Sequence, residues 1–367
     1  MKIHFSKSVL ALTGGVILFA SCAGGGSKSV NDMPIEVTRA STLFVELPDG
    51  CPTPDGMAID SAGYLILACP NFADPSKSAS LMRITRDGKI EKWIEVPVLA
   101  ETGVACPMGI DFNDRGELYV CDNQGWSGSE AGQNRGRLLK LIFGADGTLA
   151  ETVTMASGME HPNGVKVRDG KVYVTQSLLS PLCASGQTVS GVYRFDEGER
   201  DIIVRNDSTD RNLLLTVVTE NPDVKYGLDG LAFDRSGNLY LGNFGDAAIV
   251  KVTFDGDGNV SGHSVWAQDT TQMSSVDGIC FDPATGILYA ADFSANAIAA
   301  VSSDGVVTRI ARSPDCDGSD GGLDQPGEPI VWGNRLIVSC FDAVTGPDKV
   351  NSGHDKPYTL AQISLGE

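Results

Sequence analysis

The chain has 367 residues, 47 of them acidic and 28 basic, for a formal net charge of −19 at pH 7. Such a surface repels nucleic acid and anionic membranes, and both are set aside as partners. With 43 glycines, 42% hydrophobic and 20% charged residues, the composition is globular, and the length suits one large β domain or two ordinary ones.

The N-terminus reads "MKIHFSKSVLALTGGVILFASCAGGGSKS". Lys2 and Lys7 precede an apolar run from Val9 to Ala20, too short to stop in a membrane and suited to the core of a signal peptide. "LFASC" resembles a bacterial lipoprotein box ending at Cys22, the residue that becomes lipidated. Residues 1–21 are therefore expected to be a signal peptide, and residues 22–34 a lipidated Cys22 on a Gly/Ser tether. That places the protein in a bacterial cell envelope, touching the membrane through its anchor alone. Eight further cysteines are an even number, which leaves disulfides open, but their spacing does not pair them. No C-x-x-C occurs, so zinc and haem motifs are not supported.

"STLFVEL" at 41–47 alternates as a lone strand. Six related copies then follow: "PDGMAIDSAGYLILACPN" from Pro54, "PMGIDFNDRGELYVCDN" from Pro107, "PNGVKVRDGKVYVTQS" from Pro162, "LDGLAFDRSGNLYLGNF" from Leu228, "VDGICFDPATGILYAADF" from Val276, and "GEPIVWGNRLIVSCFD" from Gly327. Each is an alternating strand, a tight turn and a second strand. Most are followed by another hairpin, often with an Asp-Gly turn, as in "LMRITRDGKIEKWIEV". Four strands recurring every ~50–65 residues describe a propeller blade. The fold class expected is all-β: one six-bladed propeller over residues 35–367, with four-stranded antiparallel blades. The last copy supplies only three strands, ending at "YTLAQISLG", so the strand at 41–47 is expected to complete that blade and close the ring.

A propeller turns the start of each first strand and the end of each second strand toward one face. Aligned on the copies, the first set reads Asp55, Met108, Asn163, Asp229, Asp277 and Glu328. The second reads Cys69, Asp122, Gln176, Asn243, Asp292 and Cys340. Six carboxylates among twelve inner positions repel one another unless a cation or protons intervene. Carboxylate and amide oxygens suit one hard divalent cation, calcium first, with magnesium, manganese or zinc as alternatives. An aspartate before glycine is also an ordinary turn residue. Glu328, followed by Pro329, is no turn former, and is read as a carboxylate reaching into the mouth. His161 beside Asn163 is a candidate for proton transfer.

"GEPIVW" (Glu328), "HPNGV" (Asn163) and "GLDGLAFD" (Asp229) recur in a cyclic order that resembles the senescence marker protein, gluconolactonase and luciferin-regenerating enzyme family. The resemblance implies a six-bladed propeller with one metal held by Glu328, Asn163 and Asp229, with Asp229 also serving as base. "CPMG" puts Met108 where that family has an asparagine, which departs from its sugar-acid lactone pocket. The function expected is metal-dependent hydrolysis of a lactone or related ester, with Asp229 or Asp277 taking the proton of the attacking water. Asp55, Met108, Asp122, Gln176, Asn243 and Asp292 are expected to line the substrate pocket. The alternative is a non-catalytic NHL-like propeller holding glycan or protein. The partner is a small molecule; a monomer is the default.

Overall fold

The computed structural model describes residues 39–366, apart from 73, 75, 127, 185, 344–349, 351–353 and 355. The leader, Cys22 and its tether lie outside the described residues. The chain opens with β1 (Ser41–Glu46) and proceeds through six sheets. Blade one is β2 (Met57–Ile59), β3 (Leu65–Cys69), β4 (Ser80–Ile84) and β5 (Ile90–Glu95). Blade two is β6 (Pro107–Phe112), β7 (Leu118–Asp122), β8 (Gly136–Phe143) and β9 (Leu149–Met159). Blade three is β10 (Pro162–Arg168), β11 (Lys171–Gln176), β12 (Thr188–Asp196) and, after a short β13 (Ile202–Ile203), β14 (Leu213–Thr219). Blade four is β15 (Leu228–Phe233), β16 (Leu239–Asn243), β17 (Ala248–Phe254) and β18 (Val260–Gln268). Blade five is β19 (Ile279–Phe281), β20 (Leu288–Asp292), β21 (Ala297–Val301) and β22 (Val307–Arg312). Blade six is β23 (Pro326–Trp332), β24 (Arg335–Cys340), β25 (Thr359–Ser364) and β1.

The closing strand lies where the repeat count requires it. β1 runs antiparallel to β25, from Ser41 opposite Ile363 to Glu46 opposite Thr359. The four-stranded expectation needs one correction. β13 crosses over to pair parallel with the long β9, so blade two has five strands and its outer edge is covered there. Among the described residues no helix is long and apolar enough to cross a membrane. The cysteines Cys51, Cys69, Cys106, Cys121, Cys183, Cys280, Cys316 and Cys340 are all free thiols.

The second strands explain the sequence pattern best. Those of blades one, two, four and five, "LILAC", "LYVCD", "LYLGN" and "LYAAD", are buried at every residue. Each is covered on both faces by neighbouring blades, which turns alternation into a nearly continuous apolar run. The core is accordingly divided into six clusters, one at each blade interface. The seam between blades six and one is packed like the rest, with Trp332, Ile337 and Leu360 against Leu65, Leu67 and Ile84.

Around the axis the first strands touch directly, and glycine permits it. A Cβ on Gly56 would lie 2.3 Å from Met108 O, and one on Gly109 2.5 Å from Asn163 O. The same holds for Gly164 against Asp229 O at 2.8 Å, Gly230 against Asp277 O at 2.8 Å, and Gly278 against Gly327 O at 2.7 Å. Each neighbour is backbone and cannot swing away. Gly109→Ala is therefore expected to cost about 2–3 kcal/mol through overpacking. Gly256→Ala, whose Cβ would meet nothing within 4 Å, should change stability by less than about 0.5 kcal/mol. Denaturant unfolding of the two variants checks this; equal effects would show that the axis has room to spare.

Candidate functional site

The strand ladders fix which residues of each blade's first hairpin lie opposite one another at the mouth. Pro107 pairs with Asp122, Pro162 with Gln176, Leu228 with Asn243 and Pro326 with Cys340, and each pairing is followed by a register shift. The residues next in line, Met108, Asn163, Asp229 and Gly327, are therefore equivalent. Gly327 holds the place that the sequence alignment gave to Glu328. Glu328 stands one residue further in, where the other blades carry glycine. Its N–H donates to Ser339 Oγ at 2.9 Å, as that of Gly164 does to Thr175 Oγ1 at 2.8 Å.

Glu328 leans against Gly278, its Oε2 2.3 Å from where a Cβ would sit. Burial pushes its carboxyl up to about 8; the Lys166 ammonium opposes this, while Asp55 and Asp229 add to it. Lys166 Nζ itself lies 3.4 Å from Asp111 Oδ1. Glu328 is thus partly matched by a cation inside the channel, and it does not line the cavity above.

That cavity, ≈ 70 Å³, opens on the ring. Its floor is Asp55, Met108, Asn163, Asp229 and Asp277, flanked by Asn123, His161 and Ser177. Asn163 Nδ2 donates to Asp229 Oδ2 at 2.7 Å and to Ser177 Oγ at 3.3 Å. Burial and then repulsion from Asp229 and Asp55 hold the Asp277 carboxyl well above the usual range, and it shares a hydrogen bond with Asp229. Burial raises Asp229 as well. It pushes Asp55 up to about 8, with repulsion from Asp229 as the second cause. His161 is pulled down to about 4 by burial and is neutral. Among the described residues its Nδ1 has no hydrogen-bond partner, and neither has the Oδ1 of Asn123.

Four residues expected in the pocket are elsewhere. Asp122, Gln176, Asn243 and Asp292 do not line the cavity; at 0–2% exposure they brace the loops around it. Asp122 accepts from Cys106 N at 2.7 Å and pairs with Arg137. Gln176 Oε1 accepts from Glu160 N at 2.6 Å and His161 N at 3.1 Å. Asp292 accepts from Ser274 N at 2.8 Å and Ser275 N at 2.9 Å. Asn243 Oδ1 accepts from Thr219 Oγ1 and Asp246 N. In three of these four blades the side chain ending the second strand thus pins the loop that leads into its own first strand.

The walls above this floor are aromatic. Trp126, Tyr226, Phe244, Phe293 and Phe341 line the cavity above the floor. Their signal was present in the repeats: "GNF", "ADF" and "SCF" each set a phenylalanine directly after the second strand.

No protein-family model matches this chain, and no curated protein sequence does. Solved structures do. A gluconolactonase from Xanthomonas campestris matches with a TM-score of 0.55 at 17% identity, over 89% of each chain. A luciferin-regenerating enzyme matches at 0.57 and 11% identity, over 89% of this chain and 95% of that one. A calcium-binding protein, regucalcin, from Agrobacterium tumefaciens matches at 0.58 and 14%, over 89% and 96%. The chain is a six-bladed propeller structurally similar to these proteins, and at such identity the likeness is one of fold.

The raised carboxyls give stability a pH dependence of defined sign. Asp55 binds its proton more tightly folded than unfolded, so its contribution is complete below its ordinary value of 3.8 and is lost as the pH rises through about 8. Without divalent ions the melting temperature should fall between pH 5 and pH 8. In Asp55→Asn that fall should be smaller by a few degrees. Melts in chelator at the two pH values decide it; identical falls in both proteins would remove Asp55 as a cause.

Proposed function

We propose that the protein is a metal-dependent hydrolase of a lactone or related ester. The observation that carries this reading is the floor: three carboxyls and an amide converge in a cavity with no lysine or arginine among its described lining residues. Crowded acids in such a place call for a hard cation, and oxygen donors are what calcium or magnesium takes. Among the described residues no group of three His, Cys, Asp or Glu side chains is disposed to hold an ion; the donor set read here adds the Asn163 amide. Asn163 and Asp229 are the first two ligands. Asp277, hydrogen-bonded to Asp229, is a better third than Glu328, which lies deeper and has Lys166 beside it.

A divalent cation on this floor would polarise the substrate carbonyl and make a bound water more acidic. Asp55 is the base. It lines the same floor and its affinity for a proton lies near neutrality, as a general base requires. It takes the proton of the attacking water and returns it to the alkoxide oxygen that leaves when the acyl–oxygen bond breaks. His161, neutral and unpartnered at Nδ1, accepts a hydrogen bond rather than a proton. A plugged mouth would favour the non-catalytic binding propeller; among the described residues, Met108 forms part of the floor and does not plug the cavity. The proposal includes lipidation at Cys22 and a place in the cell envelope.

Calorimetric titration of the purified chain, stripped with chelator, should show one calcium ion. Asp229→Asn and Asp277→Asn should weaken it about tenfold or more, and Glu328→Gln less. Asp55→Asn should keep the ion and lose roughly 10²-fold or more in hydrolysis of a lactone and ester panel. If calcium, magnesium, manganese and zinc all fail to bind, the metal reading is wrong. If an ion binds and no ester is cleaved, the propeller is a binding module.

A further inference from the structure

The walls of the cavity carry information that a metal does not explain. Five blades contribute aromatic rings to one connected belt at the mouth. Trp126 stacks with Tyr226 at 6.0 Å and meets Phe341 edge-on at 5.9 Å; Phe341 lies 6.0 Å from Phe293, and Phe293 6.0 Å from Phe244. Phe72 backs the belt, 5.2 Å from Trp126. An ion on the floor would leave this belt without a function. A neutral apolar ligand would use the belt but would not engage the acids of the floor.

We propose that the cavity takes an organic cation, an amine or quaternary ammonium group carried on an apolar body. Aromatic faces attract such cations through their quadrupoles and shelter the apolar substituents. The acidic floor supplies the opposite charge. Two further groups at the cavity point to a ligand: Asn123, 1% exposed, has an amide oxygen without a partner, and His161, 8% exposed, has a ring nitrogen without one. The Asn123 oxygen is an acceptor suited to an N–H or a polarised C–H of the ligand, and His161 Nδ1 is one in the Nε2–H tautomer. The lining contains neither lysine nor arginine, which argues against carboxylate and phosphate ligands. This inference rests on reading the cavity as the ligand site, but not on the metal: an organic cation and a divalent ion are alternatives for the same acids.

Choline and its uncharged isostere 3,3-dimethylbutan-1-ol have the same shape and differ in charge. Calorimetry of the purified chain in chelator should show choline bound at least about tenfold more tightly. Phe244→Leu and Phe293→Leu keep an apolar side chain and remove a π face; they should weaken choline several-fold and leave the alcohol nearly unchanged. Asp229→Asn should weaken choline by about tenfold or more. Melting curves of each variant confirm folding. Equal affinity for the two probes, or binding of neither, overturns the inference. Choline binding without hydrolysis of any ester upholds it and defeats the catalytic reading. Calcium-dependent cleavage of neutral esters with no preference for charged ones does the reverse.

Discussion

The close approach of six first strands around one axis governs the rest of this molecule. Five glycines let the backbone of one blade press on the carbonyl of the next, at separations no Cβ would tolerate. That contact sets the bore of the ring. It also decides how near the preceding side chains must come, because each of them sits one residue from a glycine. Asp55, Asp229 and Asp277 are crowded because the backbone beneath them is. Their raised proton affinities follow from the packing of the ring and need no special feature of their own.

The sixth junction differs. Glu328 takes the glycine position there, and the ring closes on blade one through Gly327, whose Cβ would stand 3.1 Å from Asp55 Oδ1. The looser contact leaves room for a long side chain inside the bore. Lys166, paired with Asp111, supplies the nearby positive charge. The channel therefore holds two acidic layers of different character: a deeper one matched by an ammonium, and an upper one open to the cavity and unmatched.

The blade count, the closing strand and three floor aspartates were legible in the sequence, since period-two alternation and repeat spacing survive folding unchanged. The slip at Glu328 has a local cause. The ladder shifts register immediately after Pro107, Pro162, Leu228 and Pro326, so counting along the strand fails at the place where one residue decides which side chain points inward. Proline was the better guide. Pro326 is the counterpart of Pro107 and Pro162, whereas the string "GEPIVW" draws the eye to Pro329. The aromatic belt was hidden for another reason. Its members come from loops of unequal length, and only the ring brings Trp126 and Phe341 together.

Asp122 and Asp292 show why position in a repeat does not by itself assign a role. Both are as acidic in type and as central in the pattern as Asp229. Each, however, is surrounded by donors: an arginine and a backbone N–H for Asp122, two backbone N–H groups and a hydroxyl for Asp292. Such carboxylates have their hydrogen-bonding capacity filled by the protein and hold loops in place. Asp229 receives one amide N–H from Asn163 and shares a hydrogen bond with Asp277. Asp55, 7% exposed, has only the backbone of Gly56 to offset its burial. The difference lies in the supply of donors, which alternation and spacing do not encode. Within one ring of equivalent positions, the acids left short of partners are those that face the cavity, and a ligand bringing positive charge is what would complete them.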